Sequence, residues 1–273
     1  MSIVSLSSDL GNNNYSLAQF KAELGSSFPD LKSVDLFHHN EVFDIESIAY
    51  QVMGAIATFP DSSIHLIYSK YNSNKKNVLV TRIGNQFVIA PNNGIISLLH
   101  ILDFNAKVYS RDVDVESLNS IEQQSAYFDC LKMLLNNSYA NNLNETISFI
   151  QTKPFNTDLS FLDDKIICRV LHVNSLGNVI LNIRKDEFDD YLKNTAFHIL
   201  FVNIKVFQLS PNYSTAYNNN RIGALFNEAG FLELFMIAGN LAKLFNINKW
   251  QNNKIEIIKD NDTNREINFQ GGA

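Results

Sequence analysis

The chain has 273 residues, of which 45% are hydrophobic and 18% charged, and its formal net charge is −6. This composition is typical of a globular protein with one large or two moderate domains, and it excludes an intrinsically disordered chain. The negative charge argues against nucleic-acid binding, since the one dense basic spot, Lys75-Lys76, is typical of a solvated loop.

Zinc-binding, membrane-spanning and secreted proteins are also disfavoured. Cys130 and Cys168 lie in apolar stretches, which indicates buried thiols, and no Cys/His spacing indicates zinc. No run of about 18 apolar residues predicts a membrane span. The first residues are strand-like and lack the basic and apolar regions of a signal peptide, so we expect a cytoplasmic protein.

The first half of the chain alternates between strand and helix patterns. Apolar and β-branched runs predict strands at residues 2–7, 34–36 and 64–68, and helical spacing predicts helices at 15–27 and 44–59. This alternation is typical of a parallel sheet with helices on its faces.

A hairpin pattern follows, with strands at residues 77–83 and 86–90 joined by Gly84-Asn85, two residues that tolerate a tight turn. The turn at 91–94 lies at the carboxyl end of a strand, where open α/β sheets bind ligands. Another amphipathic helix is predicted at residues 119–136.

The pattern changes after the Asn-rich segment 136–164, where we place the domain boundary. Short strands are then predicted at residues 166–173, 178–183, 197–201, 204–209, 230–236 and 254–258. We therefore predict an α/β N-terminal domain at 1–150, with a mostly parallel sheet flanked by helices. A smaller all-β C-terminal domain at 163–273, a barrel or a sandwich, completes the prediction.

Five short motifs occur in order along the chain. They are Asp9-Leu10-Gly11, Asp35-Leu36-Phe37-His38, Ala90-Pro91-Asn92-Asn93-Gly94, Asn174-Ser175-Leu176-Gly177-Asn178, and residues 227–234 followed by Gly239-Asn240-Leu241-Ala242. In this order the chain resembles the S-adenosylmethionine (SAM) hydroxide adenosyltransferases, or SAM hydrolases, which are related to the SAM-dependent fluorinase and chlorinase. Each motif alone is weak, but five in register are hard to explain by chance.

The resemblance implies roles for residues of both domains. Asp9 would hold the ribose hydroxyls, because a carboxylate can accept both O–H groups, and the alternative is a turn residue that binds backbone N–H groups. Asn174 and Asn178 would hold the methionine part of SAM. Asn174 lacks the negative charge that the family has there, which weakens pairing with the substrate ammonium, and the alternative for this segment is a hairpin turn.

The segment at 227–234, which begins with Asn227, resembles the adenine-binding edge of the family. Phe231 would pack against the purine, or else belongs to the core. Glu233 alternates with apolar neighbours, and we expect it to be solvated or to contact another subunit.

The residues that activate water in the family are not matched. The catalytic Asp falls on Lys70 or on Tyr68, depending on which neighbouring strand is aligned, and Lys75 or Lys76 replaces the Arg. Glu122 falls near the position of the catalytic His, and it would act either as a replacement base or as a helix cap. The catalytic residues are therefore unknown.

Three hypotheses follow from the matched binding motifs and the unmatched catalytic residues. The chain is a divergent SAM hydrolase that converts SAM and water to adenosine and methionine, a silent module that binds a nucleoside, or a structural paralogue without a ligand. The resemblance implies SAM as substrate or ligand and no cofactor. It also implies a homotrimer with the site at a domain or subunit interface, and an exposed apolar edge near 231–236 would fit such an interface.

No metal site is expected. His38-His39 has Glu41 and Asp44 nearby, but this segment is more typical of a loop than of a metal site.

Overall fold

The computed structural model describes residues 3–12, 14–38, 44–69, 77–113, 120–152, 154–155, 157–218, 220–249 and 254–260, and it describes residues 120–123 only in their backbone. Contacts between residues divide the chain into two compact units, residues 1–154 and residues 155–273.

The N-terminal unit contains one seven-stranded sheet and five helices within the described ranges. The strands are β1 (Ile3–Ser8), β2 (Lys32–His38), β3 (Ile64–Tyr68), β4 (Asn77–Ile83), β5 (Gln86–Pro91), β6 (Val108–Asp112) and β7 (Asn144–Glu145). The helices are α1 (Tyr15–Ser27), α2 (Ile45–Thr58), α3 (Ile95–Leu99), α4 (Ser120–Leu135) and α5 (Tyr139–Asn142). The order of strands across the sheet is β2-β1-β3-β5-β4-β6-β7.

Half of this sheet is parallel and half is antiparallel. Strands β2, β1, β3 and β5 pair in parallel, whereas β4, β6 and β7 are added by antiparallel pairings. The predicted hairpin of β4 and β5 is confirmed, and Gly84 adopts the positive φ of 57° that its turn needs. A two-residue turn can only reverse the chain, so it ends the parallel part of the sheet.

Helices cover the parallel strands, as the sequence predicted. Leu17 and Phe20 of α1 and Tyr127 of α4 share one core with Val4 and Leu6 of β1. On the opposite face, the ring of Phe59 at the end of α2 contacts His65 of β3 at 5.5 Å between centroids.

The C-terminal unit contains two antiparallel sheets and two short helices within the described ranges. Its strands are β8 (Ser160–Phe161), β9 (Lys165–Cys168), β10 (Val170–Val173), β11 (Val179–Arg184), β12 (Phe197–Phe201), β13 (Ile204–Val206), β14 (Ile222–Phe226), β15 (Phe231–Met236) and β16 (Ile255–Lys259), and its helices are α6 (Lys185–Leu192) and α7 (Leu241–Phe245). The sheet orders are β10-β11-β15-β14 and β13-β12-β16-β9-β8.

Apolar residues of both sheets pack into one hydrophobic core, for example Leu181 and Leu234 from the first and Ile199 and Ile257 from the second. The unit is therefore rich in strands but is not all-β, because α6 and α7 lie between strands. Closure into a barrel or a sandwich stays a prediction.

One predicted strand, at residues 166–173, is two strands in different sheets. The break falls at Arg169, whose backbone N–H donates to the side-chain Oδ1 of Asn182 in β11 at 2.8 Å. A side-chain acceptor thus interrupts the ladder, and the chain passes from β9 in one sheet to β10 in the other.

Both cysteines are buried and make no disulfide. Burial raises the pKa of Cys130 to about 12, so it is an unreactive thiol. Among the described residues, no helix is both long and apolar enough to cross a membrane, and no cluster of three metal-ligating side chains occurs.

Candidate functional site

Asp9 lies at the carboxyl edge of the parallel strands. It directly follows β1, whose last residue, Ser8, is in register with Tyr68 of β3 on one side and with His38 of β2 on the other. Asp9 is only 2% exposed, so its side chain turns inward. This edge is where open α/β sheets bind ligands.

A chain of hydrogen bonds leads from the surface to the end of β1. The Asp35 carboxylate contacts His38 Nε2 at 3.1 Å and Lys21 Nζ at 2.8 Å, and His38 Nδ1 lies 2.8 Å from Ser8 Oγ. Because a carboxylate only accepts, the imidazole proton lies on Nε2, and Nδ1 accepts the Ser8 hydroxyl proton. Ser8 Oγ in turn accepts from the backbone N–H of Leu10 at 3.4 Å, which ties the turn that carries Asp9.

Burial and hydrogen bonding shift the pKa values of His38 and Asp35 in opposite directions. Burial lowers the pKa of His38, although the hydrogen bond to Asp35 works in the other direction. For Asp35, burial favours the protonated form, but hydrogen bonds from Lys21 and His38 outweigh it, and the pKa is lowered. A neutral imidazole next to an ionised carboxylate is therefore the form favoured at neutral pH.

Tyr68 lies where one alignment with the family places the catalytic Asp. Its ring is buried and stacks on Phe20 at 4.3 Å between centroids. Burial and the charge of Asp9 raise its pKa, so the side chain is a neutral phenol close to Asp9. The other candidates for catalysis, Lys70 and Lys75, lie outside the described residues, as does the side chain of Glu122.

The Asn-rich turn after β5 is held by its own amides. Asn92 donates to Asn77 Oδ1 at 2.9 Å and accepts from the backbone N–H of Ile150 at 2.8 Å. Asn93 donates to Ser69 Oγ, at the end of β3, at 3.0 Å. These contacts join the ends of β3 and β5 beside Asp9's strand.

In the C-terminal unit, Asn174 closes a turn. Its Oδ1 accepts from the backbone N–H groups of Leu176 and Asn178, each at 3.0 Å. This is the geometry of the alternative interpretation, a hairpin turn, and it occupies the side-chain oxygen that was assigned to the ligand. The same turn packs on the last motif, because the backbone N–H of Ala242 donates to Gly177 O at 2.9 Å.

Two predicted binding residues meet at a buried carboxylate. Asn178 Nδ2 donates to Glu233 Oε1 at 2.8 Å, and Asn227 Nδ2 donates to Glu233 Oε2 at 2.9 Å. Glu233 is 3% exposed, so the expectation that it is solvated or faces another subunit is wrong. The amide donors compensate the burial of its charge.

Phe231 belongs to the core, the alternative that the sequence left open. Its side chain is fully buried and meets Phe155 edge-on at 5.5 Å between ring centroids, while the Arg184 guanidinium lies 5.5 Å from its ring centroid. The expected exposed apolar edge near 231–236 is likewise wrong, because β15 lies between β11 and β14 and only its last residue is partly exposed.

The sequence interpretation missed the roles of three side chains. Ser8 and His38 belong to or adjoin quoted motifs, and their position at strand ends was an available signal. Tyr213 gave none, because residues 210–213 contain no strand or helix pattern and its partner is distant in sequence. Burial, the charges of Glu233 and Glu228, and a hydrogen bond to Glu233 raise the pKa of Tyr213.

Comparison with known proteins places this geometry in a family. Residues 4–138 match the model of the SAM hydroxide adenosyltransferase N-terminal domain, and residues 168–252 match that of the C-terminal domain. An (R)-S-adenosyl-L-methionine hydrolase of Methanocaldococcus jannaschii is 24% identical over 274 aligned positions, which cover 94% of this chain and 96% of the relative.

Solved structures share the fold. An uncharacterized conserved protein from Thermotoga maritima has a TM-score of 0.76 at 17% identity, over 94% of this chain and 100% of that one. A conserved hypothetical protein from Thermus thermophilus has a TM-score of 0.66 at 16% identity, over 95% of this chain and 100% of that one. With both of its domains matched in order, the chain belongs to the SAM hydroxide adenosyltransferase family.

Proposed function

We propose that this protein binds SAM and cleaves it with water to adenosine and methionine. The observation that carries the proposal is the inward-facing Asp9 at the carboxyl edge of the parallel strands. A buried carboxylate at this edge suits the two vicinal hydroxyls of a ribose, which are both donors. The similarity to a curated SAM hydrolase over nearly the whole chain supports the same reaction.

In this reaction a water oxygen attacks the ribose C5′ while the bond from C5′ to sulfur breaks. The electron pair of that bond goes to sulfur, which leaves as the thioether of methionine, and the water loses one proton to a base. Lys70, Lys75 and Glu122 occupy the approximate positions of the family's catalytic residues. They are the candidates for the base in this chain. Asn174 brings no charge to the ammonium of the methionine part, so binding there is weaker than with a carboxylate.

Binding without turnover is the second candidate function. It is favoured by the residues at the water-activating position, where Tyr68 is a neutral phenol and residues 69–76 contain no carboxylate. A general base near neutral pKa is what the first function needs and the second does not.

We further propose that the ligand lies between subunits of a cytoplasmic homotrimer. This extends the resemblance to the family.

The two candidate functions differ in whether adenosine is formed from SAM. Purified protein is incubated with SAM, and adenosine is measured by chromatography; formation above the uncatalysed rate supports the hydrolase. In parallel, millimolar adenosine is expected to raise the melting temperature, because a ligand that binds only the folded state stabilises it. Asp9→Ala should abolish both effects, whereas Asp30→Ala, at an exposed turn of the same unit, should keep them.

A melting shift without adenosine formation would favour the silent module. If neither SAM nor adenosine changed the melting temperature and no adenosine formed, both functions would be wrong. An undiminished shift in Asp9→Ala would mean that the ribose lies elsewhere.

A further inference from the structure

The buried carboxylate of Glu233 fixes the orientation of two amides. Asn227 Oδ1 accepts from the backbone N–H of Phe231 at 3.2 Å, and a backbone N–H can only donate. The Nδ2 of Asn227 must therefore face Glu233 Oε2, which accepts from it at 2.9 Å. Glu233 Oε2 is therefore the acceptor of this hydrogen bond.

The orientation of Asn178 follows from the same argument. Glu233 Oε1 lies 2.8 Å from the Asn178 amide, and an ionised carboxylate has no proton to donate, so Nδ2 must face it. Asn178 is 7% exposed, and none of the described residues donates to its Oδ1. An amide carbonyl on a side chain that is nine-tenths buried, with no donor among the described residues, is open to a donor from a ligand.

The negative charge of Glu233 also favours a ligand group that donates a hydrogen bond. Glu233 has neutral hydrogen-bond donors around it, and no lysine, arginine or histidine of the described ranges forms an ion pair with it. Glu228 adds a second negative charge close to Tyr213. A carbonyl oxygen on an amide that is hydrogen-bonded to the Glu233 carboxylate attracts an amino or ammonium group and repels a carbonyl or a carboxylate.

We infer that Glu233 is a positioning residue for specificity: it turns the Asn178 carbonyl towards the ligand, so that this subsite accepts an N–H donor and rejects an oxygen acceptor. This rests on the proposed function, because an adenosyl ligand supplies the donor from one of two places. These are the exocyclic amine of the base and the α-ammonium of the methionine part.

Glu233→Gln tests the inference because it exchanges hydrogen-bond donors and acceptors between this side chain and Asn178. Asn227 still presents its Nδ2, so the oxygen of the substituted side chain must face Asn227 and the new amide N–H must face Asn178. Asn178 then turns its Oδ1 inward and its Nδ2 towards the ligand. The subsite should change from acceptor to donor with hardly any change in shape.

Equilibrium binding is measured by calorimetry for two matched pairs, adenosine with inosine, and SAM with its α-keto analogue, in which an oxygen that can only accept replaces the amine. The wild type should bind the amino member of one pair at least about tenfold more tightly, and the pair that discriminates identifies the source of the donor. Glu233→Gln should lose or reverse this preference. Glu256→Gln, in the other sheet of the same unit, should keep it.

The outcomes separate the inference from the proposed function. Equal affinities within both pairs for the wild type, or a folded Glu233→Gln that keeps the preference, would overturn the inference alone. A purely structural role for Glu233 would weaken both members of a pair equally. If the variant does not fold, the wild-type ratios still decide, and no binding of any of the four compounds would overturn the proposed function and the inference together.

Discussion

His65 shows how a single buried residue makes the stability of the N-terminal unit depend on pH. Its Nδ1 lies 2.7 Å from Ser5 Oγ and its Nε2 lies 2.7 Å from Gln86 Oε1. Gln86 Nε2 donates to the backbone oxygens of Ile56 and Phe59, so Gln86 Oε1 must accept, and the imidazole proton lies on Nε2. The network is complete with a neutral imidazole.

Acid should therefore destabilise the protein through His65. Burial lowers its pKa below the ordinary 6.5, so the neutral form contributes stability that is full above 6.5 and is lost as the pH falls towards the folded-state pKa. Each unit of lowering corresponds to about 1.4 kcal/mol. Urea unfolding at pH 8 and pH 5.5 should show a larger loss in the wild type than in His65→Gln.

The variant isolates this residue, because His38 and His100, whose pKa values are also lowered by burial, titrate in both proteins. Parallel losses of stability in the two proteins would show that His65 does not contribute.

At the scale of elements, the contact between the turn at Gly177 and helix α7 holds two family motifs together. Gly177 has a φ of 83°, and a Cβ built on it would lie 2.1 Å from Asn240 Cγ. Asn240 Oδ1 caps α7 by accepting from the backbone N–H of Lys243 at 2.7 Å. The glycine is therefore needed both for its conformation and for the space that the cap occupies.

Gly177→Ala should lower the free energy of unfolding by about 2–4 kcal/mol, because a strained φ and a displaced helix cap each cost about 1–2 kcal/mol. Urea unfolding followed by circular dichroism measures this. Gly25→Ala is the control, since a Cβ there meets nothing within 4 Å and Gly25 lies inside α1. It should be neutral or stabilising by up to about 1 kcal/mol, and equal effects of the two variants would refute the argument.

At the scale of the whole molecule, the proposed homotrimer is the property on which the proposed ligand site depends. Leu176 is 69% exposed beside the Gly177 turn, and Tyr213 is partly exposed near Glu233. Apolar groups next to a candidate ligand subsite are suited to contact with another subunit.

Light scattering coupled to gel filtration should therefore give three times the mass of one chain, and the mass should not fall on tenfold dilution. A single-chain mass at every concentration would refute the homotrimer and would require each chain to hold its ligand alone.

The sequence determined the elements whose signals are local. Helix α1, strand β3 and the β4–β5 hairpin were predicted from periodicity and from Gly84-Asn85, because apolar spacing and turn chemistry act over a few residues. The motifs around Asp9, Asn178 and Asn227 also identified the family without coordinates, since their order along the chain is itself a sequence property.

The contacts of those residues depend on the three-dimensional fold. The burial of Glu233 and Phe231, the split of β9 from β10 at Arg169, and the amide orientations at Glu233 all depend on partners distant in the sequence. Alternation along a strand shows that one face differs from the other, but the face that is buried is chosen by the neighbouring strands. For the same reason, a carboxylate between apolar residues could be placed in the core only once its donors were located.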